Sequence, residues 1–210
     1  MSAFRKEFLE LVRPEHKNNI VVFDIGAYNG DDALIFKSDF GCKTVVAFEP
    51  SLRNFNIMEL RVGNAQILRY NVAISDVDGE HTFYDTEGAV KCAGSLLKPT
   101  TKLLTEHDAF KHNQTKFDNL GYDVKTIRLD TFIKQHNLEP TVLHIDVQGA
   151  EYYVVSSLGP YRPDLIFLET SETEHYECSK SMTDLNKLLD DMGYELHTTL
   201  QWDNLYKLKN

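Results

Sequence analysis

Four stretches are apolar almost without a break and each stops at an acid: Ile20 to Phe23 before Asp24, Val45 to Phe48 before Glu49, Thr141 to Ile145 before Asp146, and Leu165 to Leu168 before Glu169. Runs of that length, rich in branched and aromatic side chains, predict central parallel strands buried on both faces. Between them the apolar positions take helical spacing. Phe4, Phe8, Leu11 and Val12 predict an amphipathic N-terminal helix within residues 1–18 that ends near Pro14. Ala33, Leu34, Phe36 and Phe40 predict a helix stopping at Gly41, and Phe55, Met58 and Leu60 another. A short helix capped by Asp130 or Thr131 passes through Phe132 and Ile133, and Gly149-Ala150-Glu151 opens one from Tyr152 to Leu158. The last, from Thr183 to Met192, turns Leu185, Leu188 and Leu189 inward and stops at Gly193.

Further strands are expected at Gln66 to Ile74, Val124 to Leu129, Tyr194 to Leu200 and Leu205 to Lys209, the last two flanking a turn at Asp203-Asn204. Asp78-Gly79 is a tight-turn signal before His81 to Tyr84, which reads as a β-hairpin added to the sheet. Strands alternating with helices predict a doubly wound, mostly parallel α/β sheet with ligands at the carboxyl ends of its strands. The 85–122 stretch is polar, with Gly88, Gly94, Pro99 and Gly121; an excursion of that length is a functional lid or a disordered segment.

With 210 residues, 42% of them hydrophobic, the chain can bury one sizeable core, so a single domain over 1–210 is expected. The net charge of -10 disfavours a non-specific hold on nucleic acid or an anionic membrane. Three widely spaced cysteines, Cys42, Cys92 and Cys178, suit neither a disulfide framework nor a zinc ribbon. Acids within the first ten residues do not resemble a signal or transit peptide, and no apolar run approaches the roughly 20 residues that span a bilayer. A soluble, cytoplasmic protein is the expectation.

The candidate chemistry begins where the first strand stops. Gly26 and Gly30 in Asp24-Ile25-Gly26-Ala27-Tyr28-Asn29-Gly30-Asp31 let the chain turn tightly toward a ligand. Glu49 lies about 20 residues further on, where an acid typically grips the ribose hydroxyls of a nucleotide. A nicotinamide dinucleotide needs its pyrophosphate on the helix N-terminus, usually through Gly-x-Gly-x-x-Gly. Here the loop has only Gly-x-x-x-Gly, and Asp31 and Asp32 occupy the first helical turn, where they would repel a phosphate. S-adenosylmethionine carries ribose, adenine and a sulfonium cation but no phosphate. A pocket framed by Asp24, Asp31, Glu49 and Asp146 suits it electrostatically.

Taken together, Phe23 to Gly30, Ala47-Phe48-Glu49-Pro50, Asn71-Val72-Ala73-Ile74-Ser75, Arg128-Leu129-Asp130 and Ile145-Asp146-Val147-Gln148-Gly149-Ala150-Glu151 resemble the FkbM family of S-adenosylmethionine-dependent methyltransferases, in order and spacing, from about residue 20 to 170. The resemblance implies a seven-stranded class I, Rossmann-like fold whose last strand is antiparallel, and O-methylation of a hydroxyl on a sugar, glycan or secondary metabolite. It implies that Asp24, Gly26, Ala27, Tyr28, Asn29, Gly30 and Asp31 shape the pocket around the methionine part. Glu49, followed by Pro50, would hold the ribose diol, Asn71, Val72 and Ala73 would line the adenine, and Asp146 would lie beside the transferring methyl. His144 and Gln148 stand where the family typically has Lys and Glu.

Candidates for a base are Asp146, His144, Glu169 and His175, with Asp146 best placed. His144 also reads as a core histidine, and His175 as part of a solvated acidic loop. A divalent ion bridging Asp146 and Glu169 would lower the acceptor's pKa, but no ligand spacing marks such a site and none is expected. Tyr28, Tyr152, Tyr153 and Trp202 could stack on a sugar ring. Two other functions fit the same pattern: a nicotinamide-dinucleotide oxidoreductase, and a protein that binds the adenosyl cofactor without chemistry.

Overall fold

A computed structural model describes residues 6–88, 90–111, 115–118, 120–169, 175–200 and 203–209. The N-terminal helix is a 3-10 helix, Lys6–Leu11. Its three-residue turn brings Leu9 and Val12 to the same side, and both are buried, with Phe8 packed 5.9 Å from Phe167. Phe4 lies outside the described residues. β1 (Val21–Ile25) is buried at every position, as its unbroken apolar run requires. After the glycine loop, α1 (Asp31–Leu34) widens into a π-helical turn, Ile35–Asp39, in which the Phe40 N–H donates to the Ile35 carbonyl. Ala33 and Phe36 point into the core.

β2 (Thr44–Phe48) leads to α2 (Leu52–Val62), whose N-cap Ser51 accepts from the Asn54 N–H. The strand expected over Gln66 to Ile74 is two: β3 (Leu68–Tyr70) and β4 (Ala73–Ile74), which belong to different sheets. Asn71 divides them, its amide donating to the Glu49 and Pro50 carbonyls at 2.8 and 3.0 Å and holding the chain back against the end of β2.

β5 (Gly79–Phe83) follows the Asp78-Gly79 turn but does not pair with β4 in a hairpin. The described residues of the 85–122 stretch are folded rather than irregular. They hold β6 (Thr86–Gly88), α3 (Thr101–Glu106), α4 (Asp108–Lys111) and β7 (Thr115–Phe117), with β6 and β7 antiparallel. Ala93, Leu103, Phe110 and Phe117 form a small core there with Tyr176, whose hydroxyl donates to the Ala93 carbonyl. β8 (Tyr122–Ile127) then runs between β4 and β5, parallel to the first and antiparallel to the second. The expected hairpin is therefore a three-stranded sheet with β8 in the middle.

α5 (Leu129–His136) starts from Arg128 and not from a capping Asp130 or Thr131. Its first N–H groups are met instead by Ser157, whose hydroxyl and carbonyl accept from Leu129 and Asp130. β9 (Val142–Ile145), α6 (Glu151–Ser156), β10 (Leu165–Glu169), α7 (Met182–Asp191), β11 (Tyr194–Leu200) and β12 (Asp203–Leu208) complete the chain. Asp203 and Asn204 lie within β12, not in a turn. Trp202 lies outside the described residues.

The main sheet has the order β11-β12-β10-β9-β1-β2-β3. β12 is antiparallel to both neighbours; β10, β9, β1, β2 and β3 pair in parallel. On one face Phe23, Phe48 and Phe132 meet edge to face, with centroids 4.8 to 5.6 Å apart, beneath α5 and α6. On the other, Val22, Phe36, Val45, Met58 and Phe167 pack with the N-terminal segment. Each such side chain contributes about 1.5–3 kcal/mol by leaving water. β1 lies between β2 and β9, where the connections reverse direction, and a crevice opens at the strands' carboxyl ends there.

Candidate functional site

Beyond Ile25 the chain is pinned before it turns: Gly26 and Ala27 N–H both donate to the Phe48 carbonyl, at 3.0 and 2.9 Å. Gly26 has φ +87°, and a Cβ there would lie 1.8 Å from the Asp146 carbonyl oxygen. Only glycine lets the ends of β1 and β9 close to this distance. Tyr28, also left-handed at φ 49°, donates its N–H to Glu49 Oε2 at 2.8 Å, while the Ser51 N–H donates to Oε1 at 2.8 Å. Glu49 is thus fixed by two backbone groups, yet each oxygen keeps a lone pair for a hydroxyl donor. Burial pushes its pKa up to about 8.

Around this acid opens a cavity that is continuous with solvent. Ile25, Gly26, Tyr28, Glu49 and Pro50 form one wall. Val72, Ala73, Ile74, Phe83 and Leu96 add an apolar lining, and Asp146, Val147 and Ala150 line the cavity from the segment between β9 and α6. Asn54 and, from the 85–122 insertion, Cys92, Gly94 and Ser95 complete it. None of these lining residues is cationic.

The insertion is held over this wall by a buried acid. Asp85 accepts from Ser51 Oγ (2.7 Å), Arg53 Nη2 (2.9 Å), Tyr122 OH (3.0 Å) and the Thr86 N–H (2.8 Å). Arg53 also donates to the Thr86 carbonyl, and the Asn54 amide to the Lys91 carbonyl.

The turn after β9 places Asp146 beside Glu169, the last residue of β10. The Gln148 amide nitrogen donates to Asp146 Oδ1 at 2.6 Å and to Glu169 Oε2 at 2.7 Å. Burial, then the charge of Glu169, holds Asp146 well above the usual carboxylate range; burial raises Glu169 as well. Nearby Glu151, bonded to the Gly149 N–H, is pushed up by burial to about 7.

Of the residues singled out from the sequence, Gly26, Tyr28, Glu49, Pro50, Val72, Ala73 and Asp146 meet around the cavity. Asp24, Ala27, Asn29, Gly30, Asp31 and Asn71 do not line it. Asp24 alternates with Ile25 and faces the other side of the sheet, where His144 Nδ1 lies 2.7 Å away. The expected four-acid frame is therefore two acids, Glu49 and Asp146. Asp31 pairs with Arg61 and with the Asn29 amide at the surface. Gly30 supports packing: a Cβ there would meet Val62 and Met58 of α2 at 2.6 and 2.9 Å. Asn71 clips the strand ends together, as described.

Two of the base candidates lie elsewhere. His144 is buried with Asp24 on the far face. His175 accepts through its carbonyl from the Thr100 N–H and hydroxyl, and its ring faces His107 at 5.8 Å. Asn54, Phe83, Cys92, Ser95 and Leu96 were not read as site residues. Nothing local marks them, since their place depends on the insertion folding back over α2. Among the described residues no group of three or more His, Cys, Asp or Glu is arranged to hold a metal ion, and no helix is long and apolar enough to cross a membrane.

Sheet order, single antiparallel strand and crevice define a class I methyltransferase fold. Solved structures agree: an 8%-identical Methanococcus jannaschii fibrillarin pre-rRNA processing protein matches with TM-score 0.51 over 91% of this chain and 67% of its own. A precorrin-6y C5,15-methyltransferase from Geobacter metallireducens GS-15 matches at 0.50 with 10% identity, covering 97% of this chain and 88% of its own. A methyltransferase FkbM from Methylobacillus flagellatus KT, 16% identical, matches at 0.50 over 97% of this chain. This chain spans 50% of that structure's length. The sequence itself matches the methyltransferase FkbM domain over residues 24–196, and the chain belongs to that family. No curated protein sequence matches it.

Proposed function

We propose that the protein is an S-adenosylmethionine-dependent O-methyltransferase acting on a hydroxyl of a sugar, glycan or secondary metabolite in the cytoplasm. The observation that carries this reading is the lining of the cavity: Glu49 held by two backbone N–H groups, the apolar set Val72, Ala73, Ile74, Phe83 and Leu96, a second acid in Asp146, and no cation among the lining residues. That donor set suits a phosphate-free adenosyl cation. A pyrophosphate finds no positive side chain there, and Asp31 stands in the first turn of α1, which weighs against a dinucleotide oxidoreductase.

In this reading Glu49 takes the ribose hydroxyls, and Val72, Ala73, Ile74 and Leu96 enclose the adenine. Gly26 and Tyr28 border the methionine part. The bound cofactor supplies an electrophilic methyl group on sulfonium. The chain's task is to hold the acceptor oxygen in line with that methyl, which accounts for much of the rate. Asp146, which burial and the neighbouring Glu169 make more basic than an ordinary carboxylate, is the proposed base. The 85–122 insertion, latched by Asp85, acts as the lid over the acceptor. The net charge of -10 favours a neutral or small-molecule acceptor over nucleic acid.

The test is turnover with methyl-labelled donor across a panel of hydroxylated acceptors, comparing wild type with Asp146→Asn. Labelled product from wild type and a loss of about 100-fold or more in the variant are expected. Binding of S-adenosylhomocysteine with no labelled product from any acceptor would favour a non-catalytic binding protein.

A further inference from the structure

Asp146, at the edge of the cavity, belongs to a cluster whose other members, Gln148 and Glu169, lie behind it. Asp146 follows β9 and Glu169 ends β10, and these strands are paired in parallel with Ile145 opposite Leu168. Their carboxyls are thereby carried to the same edge, close enough to hydrogen bond to each other. Gln148 reaches both from an unusual backbone. Its φ of 54° is left-handed for a residue that is not glycine, and it precedes Gly149 at φ +94°. This turn throws the side chain back over the strand ends, where one amide nitrogen serves two carboxyls at 2.6 and 2.7 Å.

A neutral amide has two hydrogens to give and no charge to offset. Two carboxylates bridged this way would leave two like charges side by side in a buried site, a state that proteins avoid by retaining one proton between the pair. Most groups facing the pair do not relieve it. Glu151 of α6 and Asp203 of β12 are acidic, Cys92 of the insertion and Tyr176 are neutral, and the charge of His144, engaged by Asp24 on the opposite face, offsets part of the charge on Asp146.

We propose that Gln148 is a positioning residue that clamps Asp146 and Glu169 into a pair holding a single proton, with Asp146 presenting the pair to the acceptor side of the cavity. This rests on the methyltransferase reading for its chemistry. As the acceptor oxygen bonds the methyl carbon, the electron pair of the broken carbon–sulfur bond stays on sulfur. The hydroxyl proton passes to the carboxylate of the pair, giving a neutral diacid, and one proton then leaves to water. Because both amide hydrogens stabilise the ionised form, Gln148 sets the pH at which the pair becomes competent. Losing them moves that pH upward.

The experiment is an infrared titration of carboxylic-acid carbonyl bands in the full ligand-free chain. Wild type is compared with Asp146→Asn, Glu169→Gln, Gln148→Leu and Gln148→Glu, with calorimetric binding of S-adenosylhomocysteine measured for each. The proposal expects a protonated-carboxyl band at neutral pH, beside those of Glu49 and Glu151, that is absent from both Asp146→Asn and Glu169→Gln. Its midpoint should move up by about one pH unit or more in Gln148→Leu, and further in Gln148→Glu, where a third acid joins the pair. The acid limb of the kcat/KM profile should move with it. Gln148 variants that bind S-adenosylhomocysteine normally and titrate like wild type would overturn the clamp. A wild type that binds no S-adenosylhomocysteine would overturn the underlying methyltransferase reading, and the carboxyl titration would still decide the pair.

Discussion

Asp24 and His144 face each other across the central strands β1 and β9, in register, with Oδ1 and Nδ1 2.7 Å apart between the rings of Phe36 and Phe167. Burial opposes a charge on the imidazole, but the hydrogen bond and negative charge of Asp24 outweigh it and push His144 up to about 9. The pair is a structural element of the sheet beneath the glycine loop, on the face away from the cavity. Replacing Asp24 by Leu removes the carboxylate that holds the buried imidazole charged and should cost about 3–5 kcal/mol. The Asp24→Leu/His144→Leu double change should cost less than the two single changes summed, which urea unfolding of the four proteins measures. Additive effects would deny the coupling.

Stability should fall as pH rises from mildly acidic to alkaline. His144, pushed up to about 9 from 6.5, contributes stability that is full below the lower value and lost as pH rises through the higher. Glu49 and Glu151, raised from 4.5 to about 8 and about 7, keep protons in the folded state that the unfolded chain has already released. Every one of these shifts makes the folded protein bind more protons, so the unfolding free energy declines with pH across that window. Melting temperatures taken between about pH 6 and about pH 9.5 should decrease steadily, and Glu49→Gln should flatten the decline. A rise with pH would contradict the assignment.

Gly26 and Gly30 have different work. A Cβ at Gly26 collides with the Asp146 carbonyl, so Gly26→Ala must separate β1 from β9 at the mouth of the cavity. A Cβ at Gly30 meets only the side chains of Val62 and Met58. Both changes should destabilise, by about 1–3 kcal/mol or more where the backbone must shift. Binding of S-adenosylhomocysteine should be lost in Gly26→Ala and retained in folded Gly30→Ala, as calorimetry on both proteins checks.

Asp85 holds the insertion through four donors, two of them from Ser51 and Arg53 next to the Glu49 wall. Asp85→Ala leaves those donors without their acceptor and should cost about 3–5 kcal/mol. Limited proteolysis should then cut within 86–122 well before the main sheet unfolds. Protection equal to wild type would mean that the latch lies elsewhere.

The strands that build the site were legible because each is buried on both faces, so Val21-Val22-Phe23 and Leu165 to Leu168 announce themselves as unbroken apolar runs. The acids at their ends were less so. Alternation already places Asp24 on the opposite side from Ile25 and Phe23, and following that period through would have removed it from the pocket. The insertion could not be read locally: Phe110 and Phe117 become a core only through Tyr176, and Cys92 and Leu96 reach the cavity only because Asp85 and Arg53 fold that segment back. β4, β8 and β5 were misjoined for the same reason, since the strand between them comes from far along the chain. Gln148 was marked in the sequence only as standing where the family typically has Glu; its pairing with two carboxyls appears only when β9 and β10 are set side by side.

The most direct test is calorimetric titration of wild type and Glu49→Ala with S-adenosylhomocysteine and, separately, NADH. The account predicts that wild type binds the methyl-donor product and not NADH. Glu49→Ala should lose about 10- to 100-fold in affinity, the worth of two hydrogen bonds to the ribose diol. Binding of NADH, or binding of S-adenosylhomocysteine unaffected by the loss of Glu49, would contradict it.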